Sequence, residues 1–312
     1  MALREVDKQL PHSVAFGVCT FRRTALTQTL QSLATQTVWK RASCVVIVAD
    51  NDQTPSASAL VEAARRSTSL PIEYVHAPAQ NISVARNALL DKARELGVDF
   101  LTMIDDDEIA MPVWAENLLQ EIIATNADAV LGPVIAVYGP DAPNWMREVR
   151  LHDVTPVFGR DGRIVTGYTS NLILRLSSPF LRDRRFDLGC GISGGEDDVF
   201  LSGMVQDGGS IGFAPNAIVS EDVAADRMHL WPLLRRYFRA GQTHGRISLI
   251  HRKSKKLTVF VTAATKATVL LTWAGLTAFS PARRTKALMR ASLQLGVCSH
   301  LLGFRALDIY RS

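Results

Sequence analysis

Cysteine, signature glycine motifs and, over the last quarter of the chain, acidic residues are what this sequence has least of. Its four cysteines, Cys19, Cys44, Cys190 and Cys298, show no CxxC spacing. That argues against a disulfide framework or a zinc site and reads as reduced, mostly buried thiols. No GxGxxG follows the first strand-like run, where Gly17 is succeeded by Val18, Cys19 and Thr20, and no GxxxxGK(S/T) occurs. Dinucleotide and P-loop chemistry are therefore disfavoured. Met1–Ser13 holds Arg4, Glu5, Asp7 and Lys8 instead of an apolar run, so no secretory signal is expected and synthesis should end in the cytosol. The shortage of acid is regional: residues 227–312 carry 16 Lys and Arg against one acid, Asp308, a net of +15. Residues 1–226 carry 19 against 29, a net of -10. Arg227–Lys256 alone holds nine cations and no carboxylate, so an anionic neighbour, membrane or nucleic acid, is expected there.

What is present is a globular chain of 312 residues, 47% apolar, with no internal repeat. Over residues 1–137, short β-rich runs alternate with amphipathic helical patterns, the sign of βα units and a mainly parallel sheet. Val14–Phe21, Cys44–Ala49, Ile72–Val75 and Phe100–Ile104 read as strands. Thr24 is placed to cap a helix with Leu26, Leu30 and Leu33 on one face. Asn81 and Ser83 open a second helix with Ala85, Leu89 and Ala93, and Pro112 suits the first turn of a third bearing Trp114, Leu118 and Ile122. Ala129–Tyr138 and Gly167–Leu176 are strand-like. Trp145, in a proline-rich loop, reads as a core residue in preference to a sugar-stacking platform.

Ligands of an open parallel sheet bind beyond the carboxyl ends of its strands. Three polar clusters fall at such ends: Thr20–Arg23, Asp50–Asp52 and Asp105–Glu108. In an extended chain Asp105 and Asp107 share one face while Asp106 points away. Two carboxylates that close repel unless a cation lies between them. All-oxygen ligands favour Mg2+ or Mn2+, whose shell phosphate oxygens complete, so a metal-bound diphosphate is the expected occupant. Arg86, at a helix start, suits the phosphates. Further on, Gly194 and Gly195 precede Glu196, Asp197 and Asp198; glycines admit a ligand closely, and a carboxylate beside them can serve as general base.

In their order, Thr20-Phe21-Arg22, Asp50-Asn51, Ala85-Arg86-Asn87, Asp105-Asp106-Asp107 and Gly195-Glu196-Asp197 resemble the GT-A fold of family 2 glycosyltransferases, over roughly residues 12–225. Within that family the ADND, NISVARN, DDDE and SGGED strings and the run Arg239–Arg246 are most similar to rhizobial exopolysaccharide glucosyltransferases of succinoglycan assembly. The resemblance implies an α/β GT-A domain over residues 1–226, followed by a basic helical region over 227–312. It implies an inverting transfer of a hexose, glucose from UDP-glucose, to a lipid-linked saccharide. Thr20, Phe21, Arg22, Asp50, Asn51, Arg86, Asp105 and Asp106 would serve the nucleotide. Asp107 with Asp105 would hold Mg2+ or Mn2+, Asp197 would deprotonate the acceptor, and Glu196 would help to place it. Two departures stand out: Ser220 occupies the stretch where many relatives carry a metal-binding His, leaving Glu221, Asp222 or His229 as substitutes, and the QxxRW motif of processive synthases is missing.

The basic tail is expected to hold the enzyme peripherally at the inner face of the cell membrane, since each Lys or Arg near an anionic leaflet contributes about 1 kcal/mol. No motif accompanies it that would select nucleic acid. Leu257–Phe279 is apolar but holds Lys266 and six threonines. A central Lys costs roughly 2.5–3.5 kcal/mol in a bilayer, so an interfacial amphipathic helix is expected over a span, with a soluble helical pack as the alternative. Two rival functions remain. One reads Gly194–Phe200 as the GG(D/E)EF-like loop of a diguanylate cyclase, which requires a hairpin there; the other is a catalytically inactive polysaccharide- or membrane-binding module on the same fold.

Overall fold

The computed structural model describes residues 10–159, 161–251, 256–305 and 307; the readings made for Met1–Gln9, Arg160, Arg252–Lys255 and Asp308 fall outside the described residues. In chain order the elements are β1 (Ser13–Thr20), α1 (Leu26–Ala34), β2 (Ser43–Asp50), α2 (Ser58–Thr68), β3 (Ile72–His76), α3 (Ile82–Glu95), β4 (Phe100–Asp105), β5 (Glu108–Ala110) and α4 (Trp114–Thr125). They continue with β6 (Ala129–Leu131), β7 (Val134–Tyr138), α5 (Asn144–Val149), β8 (Val157–Phe158), β9 (Ile164–Thr166), β10 (Asn171–Arg175) and α6 (Glu196–Gln206). The last are β11 (Ile211–Phe213), β12 (Val219–Val223), α7 (Leu230–His251), α8 (Lys256–Leu276) and α9 (Pro281–Leu301). The chain forms two compact units, residues 1–135, 153–192 and 196–221, and residues 136–152, 193–195 and 222–312.

The first unit is built on a seven-stranded sheet of order β11-β6-β10-β4-β1-β2-β3. Strands β4, β1, β2 and β3 run parallel, and β10 is inserted antiparallel between β4 and β6. The uninterrupted apolar strands explain this: Val46–Ala49 and Phe100–Ile104 are buried throughout, as strands covered on both faces must be. Leu26, Leu30 and Leu33 of α1 and Ala85, Leu89 and Ala93 of α3 supply covering faces. Some boundaries depart from the sequence reading. Ala25, not Thr24, is the first cap of α1, and no side chain caps it; Thr24 instead offers its carbonyl to the Thr27 amide. Pro112 precedes α4, whose cap is Val113. Ala129–Tyr138 is broken at Gly132-Pro133, where a Cβ on Gly132 would lie 2.3 Å from the Ala217 carbonyl oxygen.

One buried side chain ties these strands together. The Asn171 amide donates to the carbonyls of Pro133 (3.0 Å) and Ala217 (2.7 Å), and its oxygen accepts from Trp114 Nε1 (2.8 Å). It thereby fixes the approach to β12 against the core Trp114, which is itself fully buried.

In the second unit α7 and α9 meet backbone to backbone: a Cβ on Gly241 would lie 1.9 Å from the Leu293 carbonyl oxygen, and one on Gly296 would lie 1.8 Å from that of Phe238. Trp145 is partly buried against the cluster of Ala142, Met146 and Leu233, as a core residue would be. Helix α8 packs on α9 through small residues, Ala263, Ala267 and Ala274, the only buried ones of its described length. It is long and apolar enough by length and composition to cross a membrane. The expected amphipathic division is not what forms: away from the alanine face, Leu257, Val261, Val269, Trp273 and Leu276 are exposed among the threonines. Those threonines are less polar than they look, because the hydroxyls of Thr262, Thr268 and Thr272 each donate to the carbonyl one turn earlier.

Replacing Asn171 with Leu strands the buried Trp114 N–H and the Ala217 carbonyl, while the Pro133 carbonyl keeps the Val219 amide. Each orphaned group costs about 1–3 kcal/mol, so urea denaturation should show a loss of at least about 2 kcal/mol.

Candidate active site

The register of β1 with its two neighbours assembles the site. Thr20 pairs with Asp50 of β2 on one side, and Cys19 pairs with Asp105 of β4 on the other. Two of the three strand-end clusters thus flank the end of β1, which carries the third.

On the β2 side, Asp50 is fully buried, and both oxygens are engaged: one accepts from the Asp52 amide (3.0 Å), the other from the Ala57 amide and from Tyr74 Oη (both 2.8 Å). Asn51 Oδ1 accepts from the Asn81 amide (3.1 Å), and Asn81 in turn caps α3 by accepting from the Ser83 amide. The Asp50-Asn51 turn therefore positions both its own loop and the start of α3. Arg22, with a left-handed φ of 54°, donates to Asp52 (2.9 Å) and holds that carboxyl well below the usual carboxylate range. Phe21 is 40% exposed and has the Arg22 guanidinium 5.3 Å from its ring centre.

On the β4 side the acids do not follow strand alternation. Asp105 is the last strand residue, Asp106 and Asp107 form a turn, and Glu108 begins β5. The expectation that Asp105 and Asp107 share a pleated face is thus corrected: a turn, not the pleat, brings them together. Asp106 does point elsewhere, accepting from Thr20 Oγ1 at 2.6 Å. Asp107 pairs with the exposed Arg23 at 3.2 Å. Glu108 is buried and accepts from the Asp105 amide (3.0 Å).

These acids crowd a space poor in water. Burial lifts Asp105 to about 7 against the pull of Arg86, with Asp107, Asp106 and Glu221 adding to the rise. Burial likewise raises Asp106 to about 6, although the Thr20 hydroxyl opposes it. Glu108 is pushed well above the carboxylate range by burial, then by Asp105. Cys19, lifted to about 12 by burial, feels Arg86, Asp105, Asp106 and Glu196 together, so these four surround the end of β1.

Glu196 reaches this cluster from far along the chain. It opens α6 and forms a buried ion pair with Arg86 of α3, whose guanidinium lies 5.8 Å from the centre of the Phe186 ring. Neither role had a local signal in sequence, since the two residues are 110 positions apart. Asp197 follows in the same first turn, half-buried, with one oxygen accepting from the Asp198 amide at 2.8 Å. No contact joins it directly to Asp105–Asp107 among the described residues; its place follows from Glu196. Gly195 leads straight into α6, so the hairpin required by the cyclase reading does not form.

Of the substitutes considered for the late histidine, Glu221 is the one whose charge bears on Asp105. It stands on β12 opposite Glu108 of β5, with Ser220 opposite Ile109. Among the described residues no three His, Cys, Asp or Glu side chains form a ready-made cage for a metal. The donor chemistry nevertheless fits Mg2+ or Mn2+, which bind through one or two carboxylates and complete their shell with phosphate and water. The surplus of carboxylates around Arg86, with the exposed Arg23 guanidinium on Asp107, is the field such a cation would neutralise.

Comparison with known proteins supplies the context. The profile of Glycosyl transferase family 2 matches residues 16–180. The chain is 46% identical over 300 residues, 95% of each chain, to the succinoglycan biosynthesis protein ExoM of Rhizobium meliloti (strain 1021). Its fold is similar to S. aureus TarS residues 1–349 in complex with UDP (TM-score 0.53, 16% identity, 90% of each chain) and with UDP-GlcNAc (TM-score 0.53, 16% identity, 94% of this chain and 92% of that one). It spans 52% of a longer TarS chain, at a TM-score of 0.52.

The raised Asp105 makes a prediction with a definite sign. A carboxyl whose folded pKa lies above its unfolded value leaves the protein most stable while protonated and costs stability as pH rises through the folded value, here about 7. In EDTA, Asp105→Asn should therefore raise the melting temperature at about pH 8 and leave it nearly unchanged at about pH 3, below the ordinary carboxyl value of 3.8, where Asp105 is protonated in the folded and the unfolded chain alike. Circular dichroism melts at the two pH values check it.

Proposed function

The chain belongs to glycosyl transferase family 2, and from that membership we propose that it transfers a hexose, glucose from UDP-glucose, with inversion onto a lipid-linked oligosaccharide of a succinoglycan-like exopolysaccharide. The observation that carries the reading is the gathering of Thr20, Asp50, Arg86, Asp105–Asp107 and Glu196 around the end of β1. The likeness to the succinoglycan protein supports the product class, and the UDP-bound neighbours of the same fold support the nucleotide.

In this reading the β2 turn and the Thr20 edge hold the uridine. Asp50 keeps the loop closed around the base, while Thr20, whose proton goes to Asp106, offers its remaining lone pairs. Asp105, Asp107 and Glu221 hold Mg2+ or Mn2+. The bound cation would neutralise the charge that develops on the departing diphosphate. Arg86 and Glu196 neutralise each other and fix the start of α6, which leaves Asp197 as the carboxylate free to take the acceptor proton. Attack from the face opposite the diphosphate then inverts the anomeric centre in one step. No processive motif is present, so one sugar is added per encounter.

The acceptor, being lipid-linked, is met at the cytoplasmic face of the membrane, and the second unit supplies the means to stay there. Arg283, Arg284, Lys286 and Arg290 are exposed on α9, the helix against which α8 packs. A span by α8 would put its exposed mid-helix Lys266 in hydrocarbon, so α8 lies in the plane of the interface, its outward Leu, Val and Trp side chains in lipid and the flanking cations on anionic headgroups.

Two measurements test this. UDP release from UDP-glucose with Mn2+ and a lipid-linked acceptor extract should fall by about 100- to 10,000-fold in Asp197→Asn, the range of a lost general base, and by a similar margin in Asp107→Asn; full activity of either sinks the mechanism. Flotation with phosphatidylglycerol vesicles should carry the wild type to the lipid layer and leave Val261→Glu/Leu276→Glu mostly in solution, while salt alone releases only part of the wild type.

A further inference from the structure

The run Arg239–Arg246 on α7 has no part in the reading above, yet it holds the loop that precedes the base. Ser193, Gly194 and Gly195 lie in the same compact unit as α7. Arg239 Nη1 donates to the Ser193 carbonyl at 3.0 Å. The Arg239 guanidinium lies where a side chain on Gly194 would start, 2.2 Å from a Cβ placed there, and Thr243 lies 2.5 Å from one on Gly195. Both glycines have left-handed φ, 77° and 85°. The left-handed backbone requires glycine at both positions, and at Gly195 the short Thr243 side chain adds a second constraint.

Helix α7 is itself fixed in rotation. Its backbone touches α9 at Gly241 and Gly296, and buried Gln242 donates to Ser299 Oγ at 3.2 Å. The faces of Arg239 and Thr243 therefore cannot turn away from the loop without breaking the α7–α9 contact. The next residue after Gly195 is Glu196, the first of α6, and the one after is Asp197.

We infer that Arg239 and Thr243 are positioning residues for transfer: they clamp Ser193–Gly195, the segment that directly precedes Glu196 and Asp197 in the chain. This rests on the reading of Asp197 as the base.

The test uses the full-length protein with UDP-glucose, Mn2+ and the lipid-linked acceptor extract, comparing Arg239→Met, Arg239→Lys and Asp197→Asn. Arg239→Met keeps the aliphatic stem and removes the donor; it should lower kcat by about 10- to 100-fold, the scale of a small misplacement of a reacting group. The Kd for UDP and the melting temperature should stay near wild type, and Arg239→Lys should recover part of kcat because an ammonium can still reach the Ser193 carbonyl. Wild-type kcat in Arg239→Met overturns the inference. So does a loss in both Arg239 variants that is matched by equal losses of UDP affinity and thermal stability, which marks a merely structural role. If Asp197→Asn stays active, the base assignment itself has failed; if it is inactive while Arg239→Met is fully active, only the clamp has.

Discussion

The buried ion pair between Arg86 and Glu196 is the interaction on which the rest of the site depends. Around the end of β1 the chain concentrates Asp105, Asp106, Glu108 and Glu196, and Arg86 is the cation that reaches both Asp105 and Cys19 in their midst. A charge taken out of water must find a partner or give up its charge. Glu196 finds one in Arg86; Asp105, Asp106 and Glu108 are instead driven toward their neutral forms. Losing either member of such a pair generally costs about 3–5 kcal/mol. Here it would also free the start of α6 from α3, so stability and geometry at this point cannot be separated.

How much of this the sequence discloses depends on the range over which each feature is encoded. Strands β1, β2 and β4 are legible because a buried parallel strand needs a nearly continuous apolar run, and the run is local; edge strand β3, IEYVH, is only partly buried. The α3 cap is legible for the same reason, Asn81 and Ser83 being two residues apart. The Asp105–Asp107 geometry is misread because alternation assumes that the strand continues, whereas the chain turns after Asp105. The pairings of Arg86 with Glu196, Thr20 with Asp106 and Asp50 with Tyr74 are invisible to periodicity. They join residues brought together only by strand order, so family resemblance could indicate the residues but not the partners.

The C-terminal helices show a different limit. Composition marks α8 as long, apolar and interrupted by threonine, and a helical wheel counts each threonine as polar. In the folded helix several of those hydroxyls are turned back on the carbonyl one turn earlier, leaving mainly methyl groups outward. The alanines that look least informative in sequence form the contact with α9. Polarity along a helix is therefore a property of bonded groups, and only the hydrogen-bond pattern reveals which side is suited to lipid.

Two adjacent acids at the start of α6 illustrate why burial has to be known before roles are assigned. Glu196 and Asp197 are equivalent in a motif, both carboxylates next to paired glycines. Glu196 is enclosed and committed to a guanidinium, so protonating it would sacrifice the ion pair with Arg86. A general base must accept a proton during turnover and release it afterwards, and a group whose charge holds the site together is poorly suited to that. Asp197 is half-buried, with one oxygen accepting from the Asp198 amide, and is not committed to that ion pair. Under the proposed mechanism the division of labour follows from solvation: the enclosed acid keeps the framework, and its less buried neighbour takes the acceptor proton.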